Sequence, residues 1–282
     1  MENIHWFPGH MKRALREIGE KAKLVDLVVE LRDARAVLSS ANDDLNTIIQ
    51  HRQRLIVLTK CDLANEQETR RWIKHFVNQG HHAVAVNLLN AKHLSLLVDA
   101  IAECDSDKRA KELAKGMKPQ PLRIMVIGVP NVGKSTLINK LAKKKMAQVE
   151  NRPGKTKAQQ WIKVAGKFEL LDTPGIMPMK FANPELAINL ALLGIVKEDI
   201  LPKEELAIRA ISLLAKIKPQ AFKDNYGLEV DIKSLTPHQI LVEIAQRSGA
   251  LCGGDPDVNR AVMMVLSDFR DGKLIHLSLE TI

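Results

Sequence analysis

The residues best suited to chemistry are Gly128-Val129-Pro130-Asn131-Val132-Gly133-Lys134-Ser135. They fit the phosphate-loop spacing G-x-x-x-x-G-K-[ST], in which backbone N–H groups curl around an anion. RIMVIG, residues 123–128, precedes the glycine turn as a β-branched apolar run and predicts a buried strand; TLINKLAKKK follows at helical spacing. Strand, turn and helix N-terminus together make an anion site, because unpaired N–H groups and the helix dipole both favour negative charge. Lys134 would reach the β- and γ-phosphates of a nucleotide, and the Ser135 hydroxyl would hold Mg2+. Asn131, Val132, Gly133 and Thr136 complete the expected phosphate contacts.

Further segments extend that site. Asp172-Thr173-Pro174-Gly175 ends an apolar run. Its carboxylate would hold Mg2+ through water, and the Gly175 N–H would meet the γ-phosphate. Thr156 lies in a polar, basic stretch, residues 148–160, that reads as a mobile loop; its hydroxyl and carbonyl would close over Mg2+. Thr59-Lys60-Cys61-Asp62 ends the run RLIVLT. A carboxylate there accepts both the guanine N1–H and the exocyclic amine, a pair adenine does not offer, while the lysine stem stacks along the base. Val86-Asn87-Leu88 lies where backbone N–H groups would meet guanine O6. Each segment alone reads equally well as a strand-end turn. Jointly they all fall at carboxyl ends of predicted strands, where open α/β sheets bind ligands.

The elements that must position these residues follow from periodicity. Helical spacing over 11–25 precedes a strand at 26–31, which ends in Asp33-Ala34-Arg35. A short helix (42–50), a strand (54–59), a helix (65–79), a strand (83–86) and a helix (91–114) come next. GMKPQP, residues 116–121, is a linker. After the phosphate loop, WIKVAGKFELLD predicts a hairpin turning at Ala165-Gly166. Strands alternating with helices imply an α/β fold with a doubly wound, mostly parallel sheet. From residue 183 onward helical spacing dominates, at 184–193, 203–216, 237–247 and 257–269. The expected organisation is a first domain over 1–182 and a small all-helical domain over 183–282.

The 282 residues carry a formal net charge of +9. That balance points to an anionic partner larger than one nucleotide, such as nucleic acid. Aromatics are only 4%, too few for base stacking to be the main mode of contact. Cys61, Cys104 and Cys252 have no metal-ligand spacing and read as reduced thiols of a cytoplasmic protein. No apolar run reaches the ~18 residues of a membrane span, so no membrane role is expected.

In ordinary small GTPases the phosphate loop comes first and the base-reading segment later. Here Thr59-Lys60-Cys61-Asp62 and its Asn87 partner precede it, so the chain resembles the circularly permuted GTPases. WFPGHM, Asp33-Ala34-Arg35, GVPNVGKS, NRPGKTKAQQW, LLDTPGI and GDPDVNRAV with DFRDGKL are similar to one branch, the ribosome biogenesis GTPase A family. The resemblance covers nearly the whole chain. It implies a GTP hydrolase that binds the large ribosomal subunit late in assembly, with a C-terminal helical domain contacting rRNA; a monomer is the working expectation. It also implies Mg2+, and K+ held through Asn131. Two positions depart from the family pattern: Thr59 stands where the base-reading segment usually opens with Asn, and Leu88 stands where a small residue is usual.

A third position matters for turnover. The residue after Asp172-Thr173-Pro174-Gly175, often a water-orienting Gln, is Ile176. His10 is the candidate to supply what Ile176 cannot, presented by a Pro8-Gly9 turn and having the right pKa range for proton transfer. Two alternatives stand beside this reading, a nucleotide-gated RNA-binding scaffold with negligible turnover and a small-molecule kinase. The permuted order also feeds the Asp172 segment directly into the helical domain, so nucleotide state would pull on that domain.

Overall fold

A computed structural model describes residues 8–118, 120–144, 149–150, 161–164, 167–171, 173–178, 181–196, 201–273 and 275–282. The chain divides into two compact units, Met1–Ala182 with Ser278–Ile282, and Asn183–Leu277.

The first unit runs α1 (Pro8–Ala22), β1 (Leu27–Asp33), a 3-10 turn (Asp43–Leu45) into α2 (Asn46–Ile49), β2 (Gln53–Thr59), α3 (Glu66–Asn78), β3 (His82–Val86) and α4 (Ala91–Ala114). It continues with β4 (Leu122–Gly128), α5 (Lys134–Lys144), β5 (Val149–Glu150), β6 (Trp161–Val164) and β7 (Phe168–Leu171). The seven strands form one sheet in the order β3-β2-β1-β4-β7-β6-β5. β1 to β4 and β7 run parallel, and β5 and β6 antiparallel, so the sheet is mostly parallel as the alternation predicts. Every residue of β1 is buried, as a strand covered on both faces requires.

Strand order reverses beside β1. The chain places β2 and β3 on one side of it, then crosses to β4 on the other, and ligands bind at such a switch point. Register does the rest. Asp33 pairs with Thr59, Thr59 with Val86, and Leu31 with Gly128, so the base-reading segments and the phosphate loop leave the sheet along one edge.

The second unit contains α6 (Pro184–Leu192), α7 (Lys203–Ile217), α8 (Pro219–Tyr226), α9 (Pro237–Arg247), a two-stranded hairpin of β8 (Leu251–Cys252) and β9 (Asp255–Pro256), and α10 (Val258–Arg270). Its helices start where local chemistry says they should. Asn183, Thr236 and Asp257 cap α6, α9 and α10, and Pro184, Pro219 and Pro237 open helices at positions that need no N–H. Leu206, Ile211, Leu214, Phe222, Ile244 and Leu266 form its core.

Four expectations change. Pro8-Gly9-His10 is the first turn of α1 rather than a separate turn, because proline's preset φ and missing N–H suit that position. Val149–Glu150, inside the stretch read as a loop, pairs with Trp161 and Ile162 as an edge strand; the hairpin supplies a template that local sequence does not show. The second unit is not all-helical. Gly253 and Gly254, both at positive φ, close its hairpin, since two such residues match the twist of paired strands. Finally, Ser278–Ile282, expected within the helical domain, belongs with the first unit. The Leu279 N–H donates to the Arg35 carbonyl at 2.7 Å, and the Glu280 carboxylate accepts from the N–H groups of Leu38 and Ser39 and from the Ser39 hydroxyl. A carboxylate facing free backbone donors holds the tail where no hydrophobic pattern announces it.

Candidate functional site

The phosphate loop joins β4 to α5. Asn131 adopts a left-handed φ of 54°, and Gly133 has φ 112°. Lys134 is buried, and its Nζ donates to the carbonyls of Gly128 at 3.1 Å and Val129 at 2.8 Å. The ammonium thus sits inside the loop that the anion would occupy. Ser135 and Thr136 are exposed on the first turn of α5, where their hydroxyls are open to a ligand. A Cβ at Gly175 would stand 2.9 Å from Pro130 and 3.0 Å from Lys134 Nζ. Only glycine lets that segment lie on the loop, which brings Gly175 beside Lys134. Asp172 and Thr156 lie outside the described residues, as does the His10 side chain.

Thr59 answers one departure from the family pattern. It is fully buried, and its hydroxyl lies 2.8 Å from the Val132 carbonyl and 3.1 Å from the Arg32 carbonyl. Its single proton serves the shorter bond, which ties the base-reading segment to the phosphate loop. Leu88 answers the other. Its side chain is buried, and its Cδ1 would come within 2.9 Å of a Cβ at Gly133. The bulky residue turns inward beneath the phosphate loop, so its size is absorbed by the glycine opposite.

Lys60 has a left-handed φ of 55°, unusual for a residue with a side chain and strained by about 1–3 kcal/mol. An ion pair holds it, with Nζ 3.0 Å from Asp33 Oδ2. Asp33 is fully buried and also grips Arg35 through Nε and NH2, each at 2.9 Å. Burial alone would raise its pKa, but the Arg35 hydrogen bonds and charge, with the Lys60 charge, hold it below the ordinary carboxylate value. Asp33 and Arg35 therefore anchor the lysine expected to lie along the base. The sequence marks them as a strand end and as part of the family pattern, without showing that they restrain Lys60. Asp62 is exposed at the turn beyond, free to meet a ligand.

Ile176 does not face the phosphates. It is buried in a core cluster with Leu15 and Ile18 of α1, Val25, Leu45, Ile49 and Met125. Its N–H donates to the Gly128 carbonyl at 3.3 Å, and its carbonyl accepts from Asn42 Nδ2 at 3.3 Å. An apolar residue at this position thus pins the segment against α1, the helix that carries His10. Mg2+ suits the donor in view, because the exposed Ser135 hydroxyl is a hard oxygen ligand.

Comparisons with known proteins agree with this geometry. Residues 123–226 match a family model described as 50S ribosome-binding GTPase. Over 279 residues the chain is 41% identical to ribosome biogenesis GTPase A of Bacillus cereus, spanning 99% of this chain and 94% of that relative. The protein of the same name from Thermotoga maritima is 30% identical over 278 residues, spanning 98% and 94%. A solved structure of GNP-bound YlqF from T. maritima superposes with a TM-score of 0.66 at 26% identity, covering 95% of this chain and 98% of that one.

Proposed function

The chain belongs to the ribosome biogenesis GTPase A family, a family of GTP-hydrolysing ribosome assembly factors, and on that footing we propose how its residues divide the work. Thr59, Lys60, Cys61 and Asp62, with Asn87 and Leu88, select guanine. Asn131, Val132, Gly133, Lys134, Ser135, Thr136, Thr156 and Gly175 hold the phosphates. The observation that carries this reading is the Thr59 hydroxyl 2.8 Å from the Val132 carbonyl, which joins the base end and the phosphate end of one edge of the sheet.

Ser135, Thr156 and Asp172 would hold Mg2+, which neutralises charge on the transferred phosphate. Asn131 would hold K+ beside the phosphates; its left-handed backbone turns the residue out of the loop's regular path. His10 activates the attacking water. The burial of Ile176 supports this, since the usual water-orienting position faces the core instead. Family membership decides against a scaffold without turnover.

The partner is the large ribosomal subunit, in keeping with the description of the matching family, and its rRNA is the anion that the charge suits. The charge is unevenly divided. Met1–Ala182 with Ser278–Ile282 has 31 Lys and Arg against 20 Asp and Glu, or +11, and Asn183–Leu277 has 11 against 13, or −2. Phosphate contacts therefore fall chiefly to the GTPase unit, and the helical unit would contact rRNA mainly by shape. The protein works in the cytoplasm, as a monomer. No described helix is long and apolar enough to cross a membrane.

The test is GTP turnover with and without large subunits, for wild type and His10→Ala. Wild type should turn over slowly alone and faster with subunits, more so in K+ than in Na+. His10→Ala should still sediment with subunits yet lose about 10²-fold or more of the stimulated rate. A variant that keeps its stimulated rate removes His10 from the chemistry, and a wild type indifferent to subunits removes the partner.

A further inference from the structure

We infer that His93, in the first turn of α4, decides which backbone amide reads guanine O6. The inference deepens, and rests on, the assignment of Asn87 and Leu88 to the base site. The Asn87 N–H donates to His93 Nδ1 at 2.9 Å. Receiving a proton there requires an unprotonated Nδ1, so the ring carries its hydrogen on Nε2. Both oxygens of Asn87 are occupied too. Its Oδ1 accepts from the Leu89 N–H at 2.8 Å and its carbonyl from the Asn90 N–H at 3.0 Å.

Among the described residues, the Leu88 N–H donates to no group. Its side chain is locked inward against Gly133, and the amide before it is consumed by His93. The Leu88 N–H is therefore the backbone donor left to meet O6, beside a side chain packed against Gly133 and a preceding amide bound to His93. Helix capping does not explain His93, because Asn90 already caps α4 through the Lys92 N–H at 2.9 Å.

The same ring nitrogen lies 3.8 Å from Cys61 Sγ, so one imidazole touches both base-reading segments. Burial and the Asp62 charge push the Cys61 thiol up to about 11, so it packs against the ring as a neutral thiol. His93 is thus a positioning residue. It contacts no substrate itself and orders the two segments that do.

Three nucleotides separate this role from a general loss of structure. Inosine diphosphate lacks the 2-amino group read by Asp62 but keeps O6. 6-Thioguanosine diphosphate keeps the amino group and N1–H but places a weaker acceptor at position 6. Dissociation constants are measured on the full chain with Mg2+. Wild type should prefer guanosine over 6-thioguanosine by about fivefold to tenfold, the worth of one hydrogen bond. His93→Ala should lose about that much guanosine affinity and bring the ratio close to one, with the guanosine-to-inosine ratio unchanged. His93→Asn, whose Oδ1 can stand in for Nδ1, should restore the preference.

A His93→Ala protein that keeps the wild-type 6-thioguanosine ratio overturns the inference. So does one in which both ratios fall together, which would make His93 merely structural. A wild type with no preference at position 6 overturns instead the base-site reading on which the inference rests.

Discussion

The two units use their polar residues in opposite ways. In the GTPase unit, several charged and polar groups converge on the edge proposed to bind the ligand: Lys134 lies within the phosphate loop, Lys60 is held by Asp33, and Asp62 is exposed. In the helical unit such groups are spent on the scaffold. Asp257 caps α10, Asp268 holds both the Tyr226 hydroxyl and Lys273, and Arg270 donates to the Ala191 and Leu192 carbonyls at the end of α6. Net charge divides along the same line, +11 against −2. The contrast teaches that a basic protein need not bind RNA with its appended domain. Here the unit that carries the phosphate loop also carries the excess of positive charge.

Salt is the strongest way to break that comparison. Affinity for large subunits should fall by about 10³-fold or more between about 50 and 200 mM salt if six or more phosphates are met. Replacing residues 183–277 by a flexible linker, while keeping 278–282, should preserve most of the slope, with each lost contact removing about 0.9 from it. Normal GDP binding by the same protein certifies that the GTPase unit has folded. Should the slope vanish with the helical unit, the charge assignment is wrong.

Asp33→Asn comes next. It leaves the buried Arg35 without its counter-charge and frees Lys60, so the GTPase unit should lose about 3–5 kcal/mol in chemical denaturation. The pH dependence has a definite sign. Because the folded pKa of Asp33 lies below its ordinary 3.8, its contribution is complete above that value and is lost as pH falls towards the folded one. The variant should lack that share of acid sensitivity; an unchanged acid limb would deny Asp33 the anchoring role.

The smallest effect is Arg270→Ala. Removing its bonds to two helix-end carbonyls should lower the stability of the helical unit by about 1–3 kcal/mol, read by calorimetry, and leave guanine affinity untouched. A change in nucleotide affinity would show that the scaffold of one unit serves the site of the other.

Much of the site was legible because its chemistry is local. GVPNVGKS needs only consecutive residues to declare an anion loop, and the run ending at Thr59 is a continuous apolar stretch of the kind a covered parallel strand requires. The departures at Thr59 and Leu88 were visible but not interpretable. Each is resolved by a contact with Val132 or Gly133, more than 40 residues away. His93 carries no signal at all, being one histidine in a helix of ordinary polarity.

By itself, then, the sequence determined the nucleotide chemistry, the permuted order of the motifs, the sheet class and most helix starts. All of these depend on residue type, periodicity and caps within a few positions. Only the tertiary structure decided that Ile176 faces the core, that Asp33 restrains Lys60 across paired strands, and that the chain's last five residues return to the GTPase unit through Glu280. Those outcomes turn on which distant donors and surfaces a fold brings within hydrogen-bond or van der Waals reach, and periodicity along a chain carries no information about that distance.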